Sequence, residues 1–277
     1  MTASVDAPRT AVTDRPARET APGWLVVARQ ESRDLWLGGR GPLLLFGLSV
    51  LLSAVTYVTA TNLVLNFLEQ REAVNLVLQV AVAVGVLLAL VVSADGISGE
   101  RERGTLESLL LTPVSRRAIL GGKYAAALSL WLAAFVVSVP YIWVLARGVS
   151  LVGTALVLGL LVGTLLAAGL VAVGLLISAL SNSNKVSLAA SLFLLLALFA
   201  PTQLPRLPQG WSGELLRRGN PVGAGMHYLS AVLVSGHDWT RDLSYLISPV
   251  LILLLAGGAL IVVGPRLVRL TAGVSGG

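Results

Sequence analysis

Six apolar runs of membrane-crossing length dominate the chain and leave few alternatives to a helical bundle in a bilayer. They are Pro42–Thr61, Val74–Ala94, Tyr124–Ala146, Leu151–Leu180, Val186–Ala200 and Leu243–Gly264. About 20 apolar residues carry a helix across the roughly 30 Å hydrocarbon core. A helix suits that environment because it satisfies its own backbone groups there. The fourth run has 30 residues, about 45 Å of helix, so it must tilt or protrude. The fifth is barely long enough and stops at Pro201. Composition agrees: only 12% of the 277 residues are charged, about half the share of a soluble domain. The fold class that follows is an all-α polytopic membrane protein with six transmembrane helices.

Residues 1–22 are polar and proline-containing. They lack the apolar core of a secretory leader and read as a disordered tail. Residues 23–277 then form one transmembrane domain. It opens with Pro22–Gly39, where a proline suits the first helical turn. Trp24, Val27, Ala28, Leu35 and Trp36 make an apolar stripe that leaves Arg29, Glu31, Arg33 and Asp34 for a wetter face. The stripe breaks around Glu31, but the pattern still predicts an interfacial helix before the first span.

Lys and Arg set the orientation. With the N terminus inside, inner segments hold fourteen of the twenty and outer segments six; without Arg9, Arg15 and Arg18 of the tail, the ratio is eleven to six. The richer side faces the cytoplasm. Both termini are therefore expected in the cytoplasm, and the protein in the inner (plasma) membrane. Tyr141, Trp143, Trp239 and Tyr245 then fall near the outer interface as an aromatic belt. The net charge of +6 is accounted for by this asymmetry, and no nucleic-acid partner is expected.

Between the fifth and sixth spans, residues 201–242 form an outer segment. Asn220 reads as a helix N-cap, Pro221 as the first helical position and Gly236 as the stop. The piece between is apolar yet too short to cross, and suits a re-entrant or surface-lying helix.

Several chemistries are missing. No Asp or Glu falls inside the six runs, whereas ion-coupled transporters place such groups at membrane depth. There is no cysteine, so disulfides and thiolate sites are excluded. His227 and His237, even with Asp238, fit no local metal-ligand spacing. Ser98 abuts Glu100 and Arg101, and no span carries a histidine base for it. Gly121-Gly122-Lys123 is followed by Tyr124 and lacks the upstream glycine of a phosphate loop. No catalytic, cofactor or metal site is expected in this chain. Energy for uphill movement must come from another chain.

The charged stretch Gly99-Glu100-Arg101-Glu102-Arg103-Gly104 lies between the second and third runs. Its charges cost about 2.5–3.5 kcal/mol each in hydrocarbon, so it belongs at the surface. Leu106, Leu109 and Leu110 share one side, and Arg103 and Glu107 stand at i,i+4. The pattern predicts one amphipathic helix from Glu100 to Leu111, ended by Thr112-Pro113, with Ser115 capping the next helix. A solvated loop that only sets topology is the plainer alternative.

"ISGERERGTLESLLLTPVSRRAILGGK" resembles the stretch between the second and third spans of ABC-2 type transporter permeases. The resemblance rests on Gly99, Glu100, Arg101, Glu102, Gly104, Thr105, Leu106, Glu107, Thr112, Pro113, Ser115, Arg116 and Lys123. It extends to the N-terminal connecting helix, the polar turn "ALSNSNKVS" and the "NP" helix before the last span. It implies that this helix is a coupling helix docking on a separate ABC ATPase subunit, with Glu100, Arg101, Glu102, Gly104, Thr105 and Glu107 as docking residues. ATP and magnesium would belong to that partner subunit. The working unit would be a homodimer, or a pair with a related permease, exporting its cargo through the lipid membrane. An alternative of another class is an energising subunit that passes conformational work to an extracytoplasmic partner without transport. A membrane scaffold without an ATPase is a third.

Ser53, Thr56, Gln79, Thr154, Thr164 and Ser178 are candidates for lining a path, though such residues commonly bond their own helix carbonyls. An apolar lining suits a hydrophobic or amphipathic cargo. Gly159 and Gly163 make a small-xxx-small surface that serves either a dimer interface or nothing in particular.

Overall fold

Runs of leucine, valine and alanine unbroken by charge make helices here, and polar residues with glycine separate them. The computed structural model describes residues 22–61, 67–147, 150–203 and 211–268. The N-terminal tail and Arg269 lie outside the described residues. The elements are α1 (Gly23–Leu37), α2 (Arg40–Ala60), α3 (Phe67–Asp95), α4 (Ser98–Glu102), α5 (Leu106–Leu110) and α6 (Arg116–Leu145). There follow α7 (Val152–Leu180), α8 (Asn184–Phe199), α9 (Trp211–Gly219), α10 (Pro221–Leu233), α11 (Ile247–Val262) and α12 (Gly264–Leu267). Short 3-10 turns at Ala200–Gln203 and Leu243–Leu246 extend α8 and precede α11. Six stretches are long and apolar enough to cross a membrane, and they coincide with the six runs read from the sequence.

Two spans begin well before their apolar runs, by seven and eight residues. α3 starts at Phe67, and the Gln70 amide donates to the Leu145 and Arg147 carbonyls at 2.9 and 2.8 Å. Its polar first turn thus satisfies carbonyls at the end of α6 that have no partner within that helix. α6 starts at Arg116, where the Ser115 hydroxyl accepts from Ala118 N at 3.2 Å, the predicted N-cap.

The centre of the bundle is α3, α6 and α7, with α2, α8 and α11 around it. Trp131 is fully buried there, its indole N–H donating to Thr164 Oγ1 at 3.0 Å. Gly85 on α3 and Gly163 on α7 lie against that ring; a Cβ on Gly85 would come within 2.8 Å of it. Gly159 likewise lies against Leu78 and Phe135. The Gly159/Gly163 surface is therefore used within the chain, to let α7 approach α3 and α6.

α1 packs along α6 instead of lying on lipid alone. Val27, Ala28 and Leu35 are buried as the stripe predicts. Glu31, read as facing water, turns inward to a partner described below.

α10 carries the Asn220 cap, whose side-chain oxygen accepts from Val222 N and Gly223 N at 3.0 and 3.1 Å. Ten of its thirteen residues are buried. It inserts among the spans, with Gly225 against Val162 and Leu166, so the surface-lying alternative is set aside. α9 was not evident from the sequence.

The expected aromatic belt splits. Trp143 and Trp239 are exposed, with the Arg147 guanidinium 3.7 Å above the Trp143 ring. Tyr141 instead turns to α2, sharing its hydroxyl with Ser49 and Ser53. Tyr245 packs against His227 with the rings tilted, their centroids 4.4 Å apart. His237 pairs with Asp242 at 2.7 Å.

Candidate functional site at the turn between the second and third spans

The chain leaves α3 through Gly96 and enters α4, whose N terminus is capped from another helix. Ile97 N and Ser98 N both donate to Ser178 Oγ of α7, at 3.0 and 2.9 Å. All three residues are buried, and Ser178 supplies the oxygen that α4 lacks at its own N-cap. Ser178 is thus structural here, not spent on its own helix.

α4 ends at Gly104, whose φ of +71° is the left-handed conformation that glycine adopts without strain. Thr105 N donates to Glu100 O at 3.0 Å and Gly104 N to Arg101 O at 3.2 Å, the paired closing bonds of a Schellman motif. The continuous helix predicted over Glu100–Leu111 is therefore two short helices. The motif splits it, and the predicted Arg103–Glu107 pairing gives way to Arg103 Nη1 at 3.5 Å from Asp95 Oδ1.

Around this turn a polar hub joins seven helices, α1 to α4 and α6 to α8. Lys123, eight residues into the α6 sequence, is buried at 4% exposure. Its ammonium contacts Glu31 Oε1 of α1 at 2.6 Å and also Glu100 Oε1 of α4. A buried ammonium is costly unless paired, and two carboxylates from different elements meet it. Gly122 makes this geometry possible: a Cβ there would lie 2.5 Å from Val27 Cγ1, so α1 rests directly on the α6 backbone.

The neighbouring charges are committed in the same way. Arg101 donates to the Ser181 carbonyl and, at 3.3 Å, to the Ala179 carbonyl, where α7 ends. Glu102 Oε2 accepts from Asn184 N at 2.9 Å, at the start of α8. Carboxylate and helix N terminus attract through the helix dipole. Asp95 receives Asn184 Nδ2 at 2.7 Å and Arg40 Nη1 at 3.4 Å.

The residues singled out from the sequence thus divide. Glu100, Arg101 and Glu102 are spent holding α4 to α1, α6, α7 and α8. Gly104, Thr105 and Glu107 are exposed, as are Arg103, Ser108 and Leu111; Glu102 is exposed too, but bonded to Asn184. Leu106 is buried at 3% and fastens α5 to the bundle. A cavity of about 1080 Å³ opens between α1 and this turn, lined by charges of both signs including Glu31, Arg33, Asp95, Arg103 and Lys123.

Sequence reasoning missed Glu31, Asp95, Lys123 and Asn184 as members of the hub. The break in the α1 stripe at Glu31 was the available signal. Among the candidate path residues, Ser53 bonds Tyr141, Gln79 reaches the Met226 carbonyl at 3.4 Å, and Thr164 accepts from Trp131. These bonds run between elements, not to their own helix carbonyls as expected.

Fold and site define a multi-pass helical membrane protein whose charged hub gathers one end of the bundle. The family model for the ABC-2 family transporter protein matches residues 41–268. The chain belongs to that family and is accordingly a membrane permease subunit of an ABC transporter. No curated protein matches it.

Proposed function

We propose that the chain is the permease of an ATP-driven exporter, working as a dimer and receiving its stroke from a separate ABC ATPase at the α4–α5 turn. The observation that carries this is the division of the turn. Its outer face, Gly104, Thr105, Glu107 and Leu111, is exposed, while Glu100, Arg101 and Glu102 grip α6, α7 and α8. A load on the outer face would be shared at once among several spans. Docking contact then belongs chiefly to Gly104, Thr105 and Glu107, with Glu100, Arg101 and Glu102 anchoring the docking element. The hub end is the cytoplasmic one, in keeping with its excess of Lys and Arg, and ATP and magnesium reside in the ATPase.

Transport is favoured over energising an external partner. α10, the main helix described in the outer segment, is largely buried against its own chain. An apolar or amphipathic cargo suits spans with few unspent polar groups.

The test is purification in mild detergent with identification of accompanying chains, comparing the native protein with Glu107→Lys/Leu111→Asp. Both changes are at exposed positions and leave the hub intact. A P-loop ATPase that accompanies the native chain and is lost from the stably inserted variant supports the reading. Equal recovery of that ATPase with both, or none with either, overturns it.

A further inference from the structure

On the outer wall of the bundle, α6 and α11 enclose an apolar groove of about 590 Å³. Its lining includes Gly121 on α6 and Gly257 and Gly258 on α11, with Leu254 and Ile261 beside them and Arg117 at one end. These glycines differ from those of the core. A Cβ on Gly258 would meet nothing within 4 Å, on Gly257 only Leu253 Cδ1 at 4.0 Å, and on Gly121 only Trp24 Cβ at 3.8 Å. No close helix approach requires them, yet glycine costs about 1 kcal/mol against alanine inside a helix. What their missing side chains provide is the groove itself.

The groove runs along a membrane-crossing face. Leu253 to Ile261 covers about 12 Å of helix, most of the roughly 15 Å depth of one leaflet's hydrocarbon. Leu254 and Ile261 are 65% and 63% exposed, so acyl chains are the surrounding medium. At the hub end stands Arg117, exposed and with no hydrogen-bond or ion-pair partner among the described residues. Arg116 is close by, bonding the Pro265 carbonyl at 3.5 Å, and Arg266 follows it on α12. An apolar trough closed by arginines at the depth of the headgroups complements a lipid with an apolar chain and a negative head.

We propose that this groove binds an anionic phospholipid of the leaflet at the hub end. One acyl chain lies along Gly121, Gly257 and Gly258, and the headgroup phosphate accepts from Arg117. None of the residues lining it belongs to the α4–α5 turn.

The experiment is native mass spectrometry of the purified full-length protein titrated with phosphatidylglycerol, phosphatidylcholine or inorganic phosphate. The native chain is compared with Arg117→Gln, with Gly258→Leu, which fills the trough, and with Gly47→Leu. Gly47 is a control because a Cβ there also meets nothing within 4 Å, on a different helix. Phosphatidylglycerol is expected to bind in preference to phosphatidylcholine, and inorganic phosphate not at all. Arg117→Gln and Gly258→Leu should each weaken phosphatidylglycerol about tenfold, the effect of one lost charged hydrogen bond or its equivalent in chain contact. Gly47→Leu should not.

Equal binding of both lipids overturns the proposal, as does an effect of only one of the two groove variants, since both contacts define the site. Retention of inorganic phosphate in place of lipid overturns it too. So does a Gly258→Leu variant that changes the oligomeric state while lipid binding is unaltered, which would assign the groove to a second copy.

Discussion

Lys123 Nζ lies 2.6 Å from Glu31 Oε1, so a single buried ammonium in α6 ties down the helix that precedes the first span. The same nitrogen bonds Glu100, and the connecting helix and the charged turn therefore share one counter-charge. Whichever of the two leaves its place takes its carboxylate away from that counter-charge.

Replacing Lys123 with Met is expected to lower stability by about 3 kcal/mol, the low end for removing one partner of a buried pair because both carboxylates keep some exposure. Thermal unfolding in detergent reads this directly. The triple variant with Glu31→Gln and Glu100→Gln should regain most of the loss. If the triple variant is no better than Lys123→Met alone, charge balance is not what the lysine provides.

Ser178→Ala removes the shared acceptor of two buried backbone N–H groups. An unsatisfied buried donor costs about 1–3 kcal/mol, and the effect should concentrate at the start of α4. Hydrogen exchange at Ile97 and Ser98 is expected to accelerate while exchange in the middle of α7 stays slow. Unchanged protection at both amides would mean that another oxygen caps the helix.

Gly163→Ala introduces a methyl into the space of the Trp131 ring. Overpacking of a filled core costs about 1–3 kcal/mol, and combining it with Trp131→Phe should recover part of that. Gly153→Ala is the control: a Cβ there meets nothing within 4 Å, so it should be neutral or stabilising by up to about 1 kcal/mol. Equal melting temperatures for the two alanine variants would contradict the close approach of α7 to α6.

Gly104→Ala forces a side chain into the left-handed region at φ +71°, at about 1 kcal/mol. Faster exchange at the amides of residues 104 and 105, which close α4, is the expected signature. A variant with unaltered exchange would show that the turn tolerates another backbone.

What could be read from the sequence was mostly local. The six spans are runs of apolar residues, and the Ser115 and Asn220 caps depend on neighbours within three positions, so each announces itself in a short window. Gly104 was also visible, but the leucines after it and the charges before it suggested one helix, and the periodicity outweighed the stop. The hub was not legible because its pairs are distant: Glu31 meets Lys123 across 92 positions and Glu102 meets Asn184 across 82. Helix periodicity placed Glu31 on the wet face, where an isolated helix would keep it. The neighbour that reverses this preference belongs to another span. α9 escaped because it is short and follows a proline-rich stretch.

The break at Gly104 also decides what kind of force can pass through the turn. A single stiff rod from Glu100 to Leu111 would carry torsion as readily as thrust. Two short rods meeting at one knuckle carry thrust well and shed torsion at the joint. Under the proposed docking, a partner pushing on α5 would drive α4 against its anchors without screwing it out of them, and the Lys123 pairs would carry that load on to α1.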